Sequence, residues 1–470
     1  MKTAFRIGVW PAILTAAILL LPLAGCLEKH VIWSPDGNRA AVIAKEGLHF
    51  CDPDGKLTPL LMPGVYAAAW LSDSQRLVVA REQQVGNWAS IAQSLGSERA
   101  GKIAAEAEAV WMQLEKGGQW GVLSTDSGKK KDQAALKIFL RENHGDVLRA
   151  KVSADEWKDI KSKEADISDL MMAGMVDGQI KPGAILHEGL EKIEDIRVSP
   201  GDRGVAFTTD AAPGDDDDFL LLLVRIDTPG SAKVAEHSAA YPDWTSDGRS
   251  LVYMQASGQG AKKDIQLATL VRREVMDDKG QTRISGAAEE LAGMFFQNTG
   301  RVRCLRDGRI LFSAVEVTLP VAGKDFPTDE HEQLFALDLA RQATLVRMIP
   351  NENHDKMPKH LIFFEVSPDE QRLVVGGVDG EVSVLTLATG DVQEWQKAGE
   401  YNLWGAPVWR NSEQITYAQR NPLQDGKRPS RKAEIVLRKA IPGSGDHETV
   451  LSRGWSDEML ESVYPGSDRN

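Results

Sequence analysis

The stretch that decides the fold is VIWSPDGNRAAVIA, residues 31–44. Pro35 fixes φ at the second position of a turn, Asp36 favours the third, and Gly37 supplies the positive φ of the exit. The two apolar segments on either side are therefore expected to pair as a tight β-hairpin. Two more strand-like pieces follow within residues 48–62, so the unit as a whole predicts a four-stranded sheet.

Related strand, turn, strand segments recur along the chain. Their later copies lie at residues 69–80, 198–207, 243–253, 304–312, 366–375 and 408–417. Apart from one long gap, the copies follow one another at blade-like intervals of about 40 to 60 residues, which is typical of a repeat architecture. The large residues Trp33, Trp70, Trp244 and Trp409 occupy equivalent places in their copies and are predicted to fill the space between neighbouring sheets.

This signature resembles the repeats of TolB-like propellers, which are often described as WD-like. The resemblance covers most of residues 30–455 and implies an all-β fold, a β-propeller of about seven four-stranded blades, over residues 26–455. A set of unrelated hairpins in a sandwich or barrel is the alternative, but it does not predict the same turn at regular intervals. Because Asn411-Ser412 replaces Pro-Asp in the last copy, six or eight blades stay open.

The long gap between the second and third copies predicts a helical insertion in the second blade, over residues 84–170. Apolar residues recur at helical spacing from Ser90 to Lys116, and Gly117 supplies a C-terminal stop. Ser153 and Glu156 form a capping-box pattern that opens another helix, for which Ile167 is the furthest candidate residue. A further short helix is expected over 132–142. A disordered excursion is the alternative, and the Trp, Phe and Ile content argues against it.

The first residues predict an exported lipoprotein. Lys2 and Arg6 precede an apolar run over 7–23 that is too short for a trusted membrane span, which indicates a signal peptide over residues 1–25. The run ends in LAGC, residues 23–26, which resembles the lipobox of bacterial lipoproteins and implies that Cys26 is the lipid-attachment residue. An ordinary signal peptide with a chance cysteine is the alternative. By the same resemblance, Leu27 favours the periplasmic side of the outer membrane, and the lipid is the expected membrane contact.

The composition argues against two other classes of protein. The chain has a formal net charge of −13, which works against a nucleic-acid partner. Only Cys51 and Cys304 follow Cys26, so a disulfide-dense scaffold is excluded. The two can form one bridge, but each lies in an apolar strand-like segment that favours a buried thiol.

Long connections fall mostly after the second strand of a repeat, which assigns them to one face of the propeller as a candidate recognition surface. They are residues 211–218, 257–263, 319–332 and 421–432, together with the insertion. Only three residues separate Cys26 from the first strand, a reach of roughly 10–15 Å, so this face is expected close to the membrane. Basic residues that would meet anionic headgroups, or simply lie in solvated hairpin tips, are Lys262, Lys263, Lys427, Arg428, Arg431 and Lys432.

The sequence offers no catalytic, cofactor-binding or metal-binding set. Its nine histidines are scattered and no hydrolase or metalloprotease motif occurs. The acidic runs Asp215–Asp218 and Asp329–Glu332 contain oxygen ligands but lack the alternating spacing of a calcium loop, and solvated tips explain them. Trp395 and Trp404 lie near predicted blade junctions and are left open between core and surface.

The expected function is that of a non-catalytic envelope scaffold. As the TolB resemblance implies, its loops would bind an envelope protein or a peptidoglycan-associated partner. The alternative is a propeller enzyme, a lyase or hydrolase acting on cell-wall or extracellular carbohydrate, which predicts His, Arg, Tyr or acidic groups lining the central channel. The C-terminal tail, residues 456–470, is too short for an appended hydrolase domain.

Overall fold

Strands dominate the computed structural model of the chain. It describes residues 29–121, 130–176, 178–210, 219–228, 230–239, 241–256, 266–278, 281–296, 301–315, 332–339, 344–347, 356–358, 361–377, 380–396, 402–403, 405–425, 428–441 and 449–456. In these ranges no helix is long and apolar enough to cross a bilayer.

The strands follow one another in antiparallel groups. The first group is β1 (Val31–Trp33), β2 (Ala40–Ala44), β3 (Gly47–Cys51) and β4 (Met62–Pro63). The second is β5 (Val65–Trp70), β6 (Arg76–Val85), β7 (Ala165–Val176) and β8 (Gln179–Gly189). The third is β9 (Ile193–Val198), β10 (Gly204–Asp210), β11 (Phe219–Arg225) and β12 (Ser231–Ser238). The fourth is β13 (Asp243–Trp244), β14 (Ser250–Ala256), β15 (Gln266–Asp278) and β16 (Gln281–Phe296).

Three more groups complete the order. The fifth is β17 (Val302–Cys304), β18 (Arg309–Val315), β19 (Glu332–Asp338) and β20 (Thr344–Arg347). The sixth is β21 (Leu361–Val366), β22 (Arg372–Gly377), β23 (Val382–Thr386) and β24 (Val392–Gln396). The last has a split first strand, β25 (Asn402–Leu403) with β26 (Val408–Trp409), followed by β27 (Ile415–Asp425), β28 (Arg428–Ala440) and β29 (Thr449–Ser456).

The third, fourth and fifth groups are joined edge to edge into one 12-stranded sheet. Single residue pairs make these junctions, Ser238 with Gln255 and Phe295 with Val315. Within the described ranges, each group is therefore a meander of four consecutive strand positions. Radially repeated sheets of this kind form a β-propeller.

The repeated turn has the expected chemistry. Gly37 has φ +67°, and a Cβ at this position would lie 3.0 Å from the carbonyl oxygen of Arg410. Ser34 Oγ donates to Asp36 Oδ1 at 2.6 Å, and the Asp36 carboxylate accepts from the backbone N–H of Asn38 at 3.0 Å. Local side-chain bonds thus hold the turn, and the adjacent strands pair from Trp33 with Ala40 onwards.

The predicted tryptophans are buried, and they link neighbouring groups. The indole Nε1 of Trp70 donates to the carbonyl oxygen of Ile32 in the preceding group at 2.9 Å. Trp244 donates in the same way to Arg197, and Trp409 donates to Glu365, both at 3.0 Å. A recurring side chain therefore fixes the spacing between the first strands of successive groups, which we call the inner strands.

The first and last groups close the ring. Trp33 Nε1 donates to Thr416 Oγ1 at 2.7 Å, and the Arg410 guanidinium lies over the Trp33 ring at 5.1 Å from its centroid. Arg410 Nε also donates to the carbonyl oxygen of Gly37 at 3.0 Å. Side chains of β1, β2, β26, β27 and β28 share one apolar cluster across this junction. No strand of one of these two groups completes the sheet of the other in the described chain.

Among the described residues, three helices with defined bounds lie between β6 and β7: α1 (Trp88–Glu115), α2 (Lys130–Lys151) and α3 (Ala154–Ser162). Asn87 caps α1, which has a non-helical residue at Gly96, and the chain turns at Gly117 with φ +94° after it ends, as the sequence predicts. The capping box of Ser153 and Glu156 is confirmed at α3. The helices share a core that reaches Ala165 and Ile167 of the second group, and Leu190 directly after it.

Several expectations are corrected in detail. Ile167 does not extend α3 but lies in β7, because β6 continues to Val85 and pairs with β7 from Ala165 onwards. The helical segment is therefore shorter at both ends than 84–170. The connection expected over 421–432 is mostly strand, because β27 and β28 extend as one hairpin to the pair Asp425 with Arg428.

The two cysteines are described by the structure, whereas most of the predicted loops are not. Cys51 and Cys304 are both free thiols, with Cys51 buried and Cys304 partly exposed, and burial raises the pKa of Cys51 to about 12. Cys26, residues 211–218, 257–263 and 319–331, Trp404, Lys427 and the tail beyond 456 lie outside the described residues. Trp395, in β24, is half-buried and packs against the cluster that contains Trp409.

Candidate functional site

A cavity of about 350 Å³ opens where the inner strands begin. Lys29, Tyr66, Ile193, Tyr241 and Arg301 each lie at or just before the start of an inner strand and line this cavity. Since neighbouring inner and second strands are antiparallel, the second strands end on this face. The helical segment, which follows β6, is therefore attached on the same side of the propeller as the cavity.

Arg301 contacts two aromatic rings. Its guanidinium carbon lies 3.9 Å from the centroid of Tyr241 and 4.6 Å from that of Phe363. The residue is only 2% exposed, and its Nε has no hydrogen-bond partner among the described atoms. Contact with both rings stabilises the cation but leaves its N–H edge available for an acceptor.

Arg303 lies two residues further along, on the same side of β17 as Arg301. It is 7% exposed; its Nη1 donates to the carbonyl oxygen of Val302 at 2.7 Å, while its Nη2 has no partner among the described atoms. Burial lowers the pKa of Arg303 to about 9, and the charges of Arg197 and Arg301 lower it further against the opposing effect of Asp243. Asp195 also opposes the shift, so two cations and two carboxylates surround Arg303 and burial is the main cause of its lowered pKa.

The positive charge of Arg197 is better compensated than that of Arg303. Its Nε donates to Asp195 Oδ2 at 2.7 Å. Burial acts to lower its pKa, but Asp195, Asp243 and Glu365 more than offset that effect, so the pKa of Arg197 lies above its ordinary value. Asp243 Oδ2 in turn accepts from the backbone N–H of Cys304 at 2.9 Å. These contacts connect the third, fourth and fifth groups around the cavity.

Lys29 brings the start of the described chain into this cluster. Its ammonium group forms an ion pair with Glu365 of the sixth group. Burial lowers the pKa of Lys29 to about 8; Glu365 opposes this shift, and Arg197 and Arg303 add to it. Lys29, two residues before the first strand, is therefore fixed to the inner wall of the ring.

The cluster has an excess of positive charge. Lys192 and Glu194, at the rim, balance each other with N and O atoms 3.4 Å apart. The remaining cations are Lys29, Arg197, Arg301 and Arg303, and the carboxylates are Asp195, Asp243 and Glu365. Four formal positive charges thus face three negative charges. In this low-dielectric setting, the surplus and the unpaired guanidinium atoms favour an anion.

The helical segment is tied firmly to the propeller. Arg141 donates through Nη1 to the carbonyl oxygens of Lys161 and Lys163 at 2.9 and 3.0 Å, and through Nη2 to that of Gly86. It therefore caps the end of α3 and holds the point where the chain enters the segment.

A second link reaches the cavity rim. Arg99 bonds to Asp132 at 2.9 Å and to Glu191 at 2.6 Å, and Glu191 directly precedes the cavity residue Lys192. The segment is thus a fixed part of this face.

Sequence reasoning did not identify any member of the charged cluster. Arg301 and Arg303 flank the apolar Val302 on a short strand, and Asp195 and Arg197 alternate in the same way on β9. Charged residues with a period of two on an inner strand are the signal that could have found them. Within the described residues, no group of three or more His, Cys, Asp or Glu side chains has the arrangement of a metal site.

The chain matches no family model, and no curated protein matches it. Among solved structures it is similar to a putative TolB from Agrobacterium tumefaciens, with 11% identity over 58% of this chain and 85% of that one and a TM-score of 0.35. It is also similar to the β-propeller domain of Cps50 (Swd1) from Myceliophteria thermophila, with 9% identity, 83% and 93% coverage and a TM-score of 0.41. An oligogalacturonate lyase in complex with manganese shares 13% identity over 76% of this chain and 75% of that one, with a TM-score of 0.39.

Proposed function

We propose that this protein is a cell-envelope lipoprotein, anchored through Cys26, whose seven-bladed propeller is a scaffold for protein–protein interaction. The helical insertion of the second blade is its main recognition element. The proposed partner is an envelope protein or a peptidoglycan-associated protein on the periplasmic side of the outer membrane.

The fixed attachment of the helices supports this proposal. Arg141 and Arg99 hold the segment to the second group through bonds to Gly86 and Glu191. A rigidly held element loses little conformational entropy on binding, so it can present a preformed surface. Met112 and Val147, on α1 and α2, are 51% and 52% exposed and offer apolar contacts on that surface.

The interaction is tested by removing the helices without disturbing the blade. Val85 and Ala165 are paired in register, so deletion of residues 88–162 leaves Gly86, Asn87, Lys163 and Glu164 as a four-residue connection between paired strands. Site-specific photocrosslinking from position 112 in cells should capture a defined envelope protein, and the deletion should abolish its co-purification.

Point variants control for damage to the fold. The double variant Met112→Glu, Val147→Glu should reduce co-purification at least tenfold, while Leu60→Glu, at a position 42% exposed in the first group, should not. Equal recovery of the partner with all three proteins would contradict the assignment of the helices.

Localisation is tested separately. Labelling with a palmitate analogue should modify the wild-type protein, and Cys26→Ser should remove the label and release the protein from the outer-membrane fraction. A wild-type protein that takes no label would overturn the lipid anchor while leaving the scaffold proposal to its own test.

A propeller enzyme is the second candidate, since arginine, tyrosine and acidic side chains line the cavity. Asp195 of the cavity wall is, however, engaged in an ion pair with Arg197, and Glu365, outside the wall, pairs with the lining residue Lys29. Ion-paired carboxylates are poor general bases, so this arrangement favours binding over proton transfer. Turnover of an acidic cell-wall oligosaccharide by the purified protein, lost on substitution of Asp195 or Asp243, would reverse that preference.

A further inference from the structure

We propose that the cavity at the centre of the propeller binds one carboxylate group, held by the guanidinium group of Arg301, which lines the cavity, together with that of Arg303, two residues further along the same side of the inner strand. This site is separate from the helical recognition surface, and it does not depend on the scaffold function or on the lipid anchor.

Two unsatisfied arginines carry the inference. Arg301 and Arg303 are 2% and 7% exposed, and Nε of the first and Nη2 of the second have no hydrogen-bond partner among the described atoms. A buried polar atom without a partner costs about 1–3 kcal/mol, and more when the group is charged. A bound acceptor would remove that cost for both residues.

The orientation of Arg301 is fixed before any ligand arrives. The guanidinium carbon of Arg301 lies over the rings of both Tyr241 and Phe363, and these two contacts restrict how the group can turn. Its Nε–H has no partner among the described atoms, and a planar guanidinium edge matches the two oxygens of a carboxylate. A preoriented donor of this kind binds with a reduced entropic cost.

The charge count selects a monoanion. The cations Lys29, Arg197, Arg301 and Arg303 exceed the carboxylates Asp195, Asp243 and Glu365 by one. One carboxylate neutralises this surplus, whereas a phosphate dianion would leave a net negative charge in the same low-dielectric cluster.

The cavity also suits a ligand with a small apolar part. Its wall includes Ala67, Ala68 and Ala69 of β5 and the ring of Trp70, beside the charged residues. About 350 Å³ is at the lower end of the range of ligand pockets, which favours a small occupant. The ligand class is therefore a small carboxylic acid, or the carboxylate end of a narrow chain.

Acetate and its neutral isostere acetamide are the probes that test this assignment. Thermal unfolding of the purified mature protein is followed at pH 7, where Arg303 is charged, with sodium and total ionic strength held constant. Acetate should raise the midpoint by several degrees in a saturable manner, and acetamide should not. No acetate-specific shift in the wild-type protein overturns the proposal.

Variants locate the effect. Arg301→Gln and Arg303→Gln should each weaken the apparent acetate affinity at least tenfold, and either variant alone is sufficient if the other fails to fold. Arg249→Gln is the matched control, because Arg249 is exposed at the turn between β13 and β14. An acetate shift that survives both cavity substitutions, or that Arg249→Gln abolishes, places the anion elsewhere.

The anion-free stability provides an independent readout. Because the buried Arg303 makes no direct ion pair with a described residue, Arg303→Met should leave the protein as stable as the wild type or more stable in the absence of acetate. A folded variant with a lower midpoint would mean that Arg303 is already compensated and would overturn the proposal. Inorganic phosphate that stabilises the wild type more than acetate at equal concentration would contradict the single-charge site.

Discussion

Trp33 in the first strand donates its indole N–H to the hydroxyl of Thr416 at 2.7 Å, although 383 residues separate the two along the chain. Thr416 is fully buried and Trp33 is 8% exposed, so water does not replace this bond easily. The contact belongs to the junction at which the first and last groups meet. The tryptophan that recurs in the other groups thus takes part in ring closure here, through a bond to a side chain.

This contact predicts a measurable coupling energy. Trp33→Phe and Thr416→Val should each lower the free energy of unfolding, by about 1–3 kcal/mol, because each removes one side of a buried hydrogen bond. The double variant should cost less than the sum, by about 0.5–1.5 kcal/mol, in a double-mutant cycle from chemical denaturation. Strict additivity would show that the two side chains act independently.

Gly47 and Gly178 form a matched pair of turn glycines. Both have positive φ, 140° and 75°, but a Cβ at Gly47 would lie 2.1 Å from the carbonyl oxygen of Met62, whereas nothing lies within 4 Å at Gly178. Gly178→Ala should cost about 1–2 kcal/mol, from the left-handed backbone alone. Gly47→Ala should cost clearly more, since β3 and β4 must separate. Equal midpoints in urea denaturation would refute the packing argument.

Arg141 predicts the local stability of the helices. Arg141→Met removes the donors to Gly86, Lys161 and Lys163, so the amides of α3 should exchange with deuterium at least tenfold faster. Amides of the inner strands should keep their protection. Lys102→Met, which removes an ion pair between two exposed side chains, is the control and should change neither rate.

His30 predicts a pH dependence of stability. Burial lowers its pKa to about 4 from the ordinary value of 6.5, so the unfolded chain binds the proton more readily than the folded chain. The contribution of the neutral His30 ring to the free energy of unfolding is therefore fully present above pH 6.5 and is lost as the pH falls from 6.5 towards 4. The pKa of His187 is lowered in the same way, to about 4, with burial as the main cause.

A variant isolates this effect. The difference in unfolding midpoint between pH 7 and pH 4.5 should be smaller in His30→Gln than in the wild type, and smaller again when His187→Gln is added. Parallel profiles in the three proteins would contradict neutral burial of these rings.

The repeated hairpins and the start and stop of the helices could be predicted because their signals are local. A turn sequence such as residues 34–37, a capping box at Ser153 and a glycine at position 117 act within a few residues. The lipid anchor at Cys26 stays a prediction, because it lies outside the described residues.

The charged cavity could not be predicted in this way. Its residues come from five inner strands, and Lys29 and Glu365 are 336 positions apart. In the sequence, each of these charged residues by itself resembles an ordinary surface residue. Only closure of the ring brings the residues together. The extended hairpin of β27 and β28 was missed for another reason, because its polar tip has the composition of a loop.

Ring closure through side chains also sets the mechanical behaviour of the molecule. A pulling force applied ahead of Lys29 passes first to the ion pair with Glu365 and then to the bonds of Trp33 with Thr416 and of Gly37 with Arg410. No shared ladder of backbone bonds reinforces that seam among the described strands. Under tension the first group of strands should therefore separate from the last before any sheet unfolds. A force applied ahead of Lys29 should act directly on the wall of the central cavity.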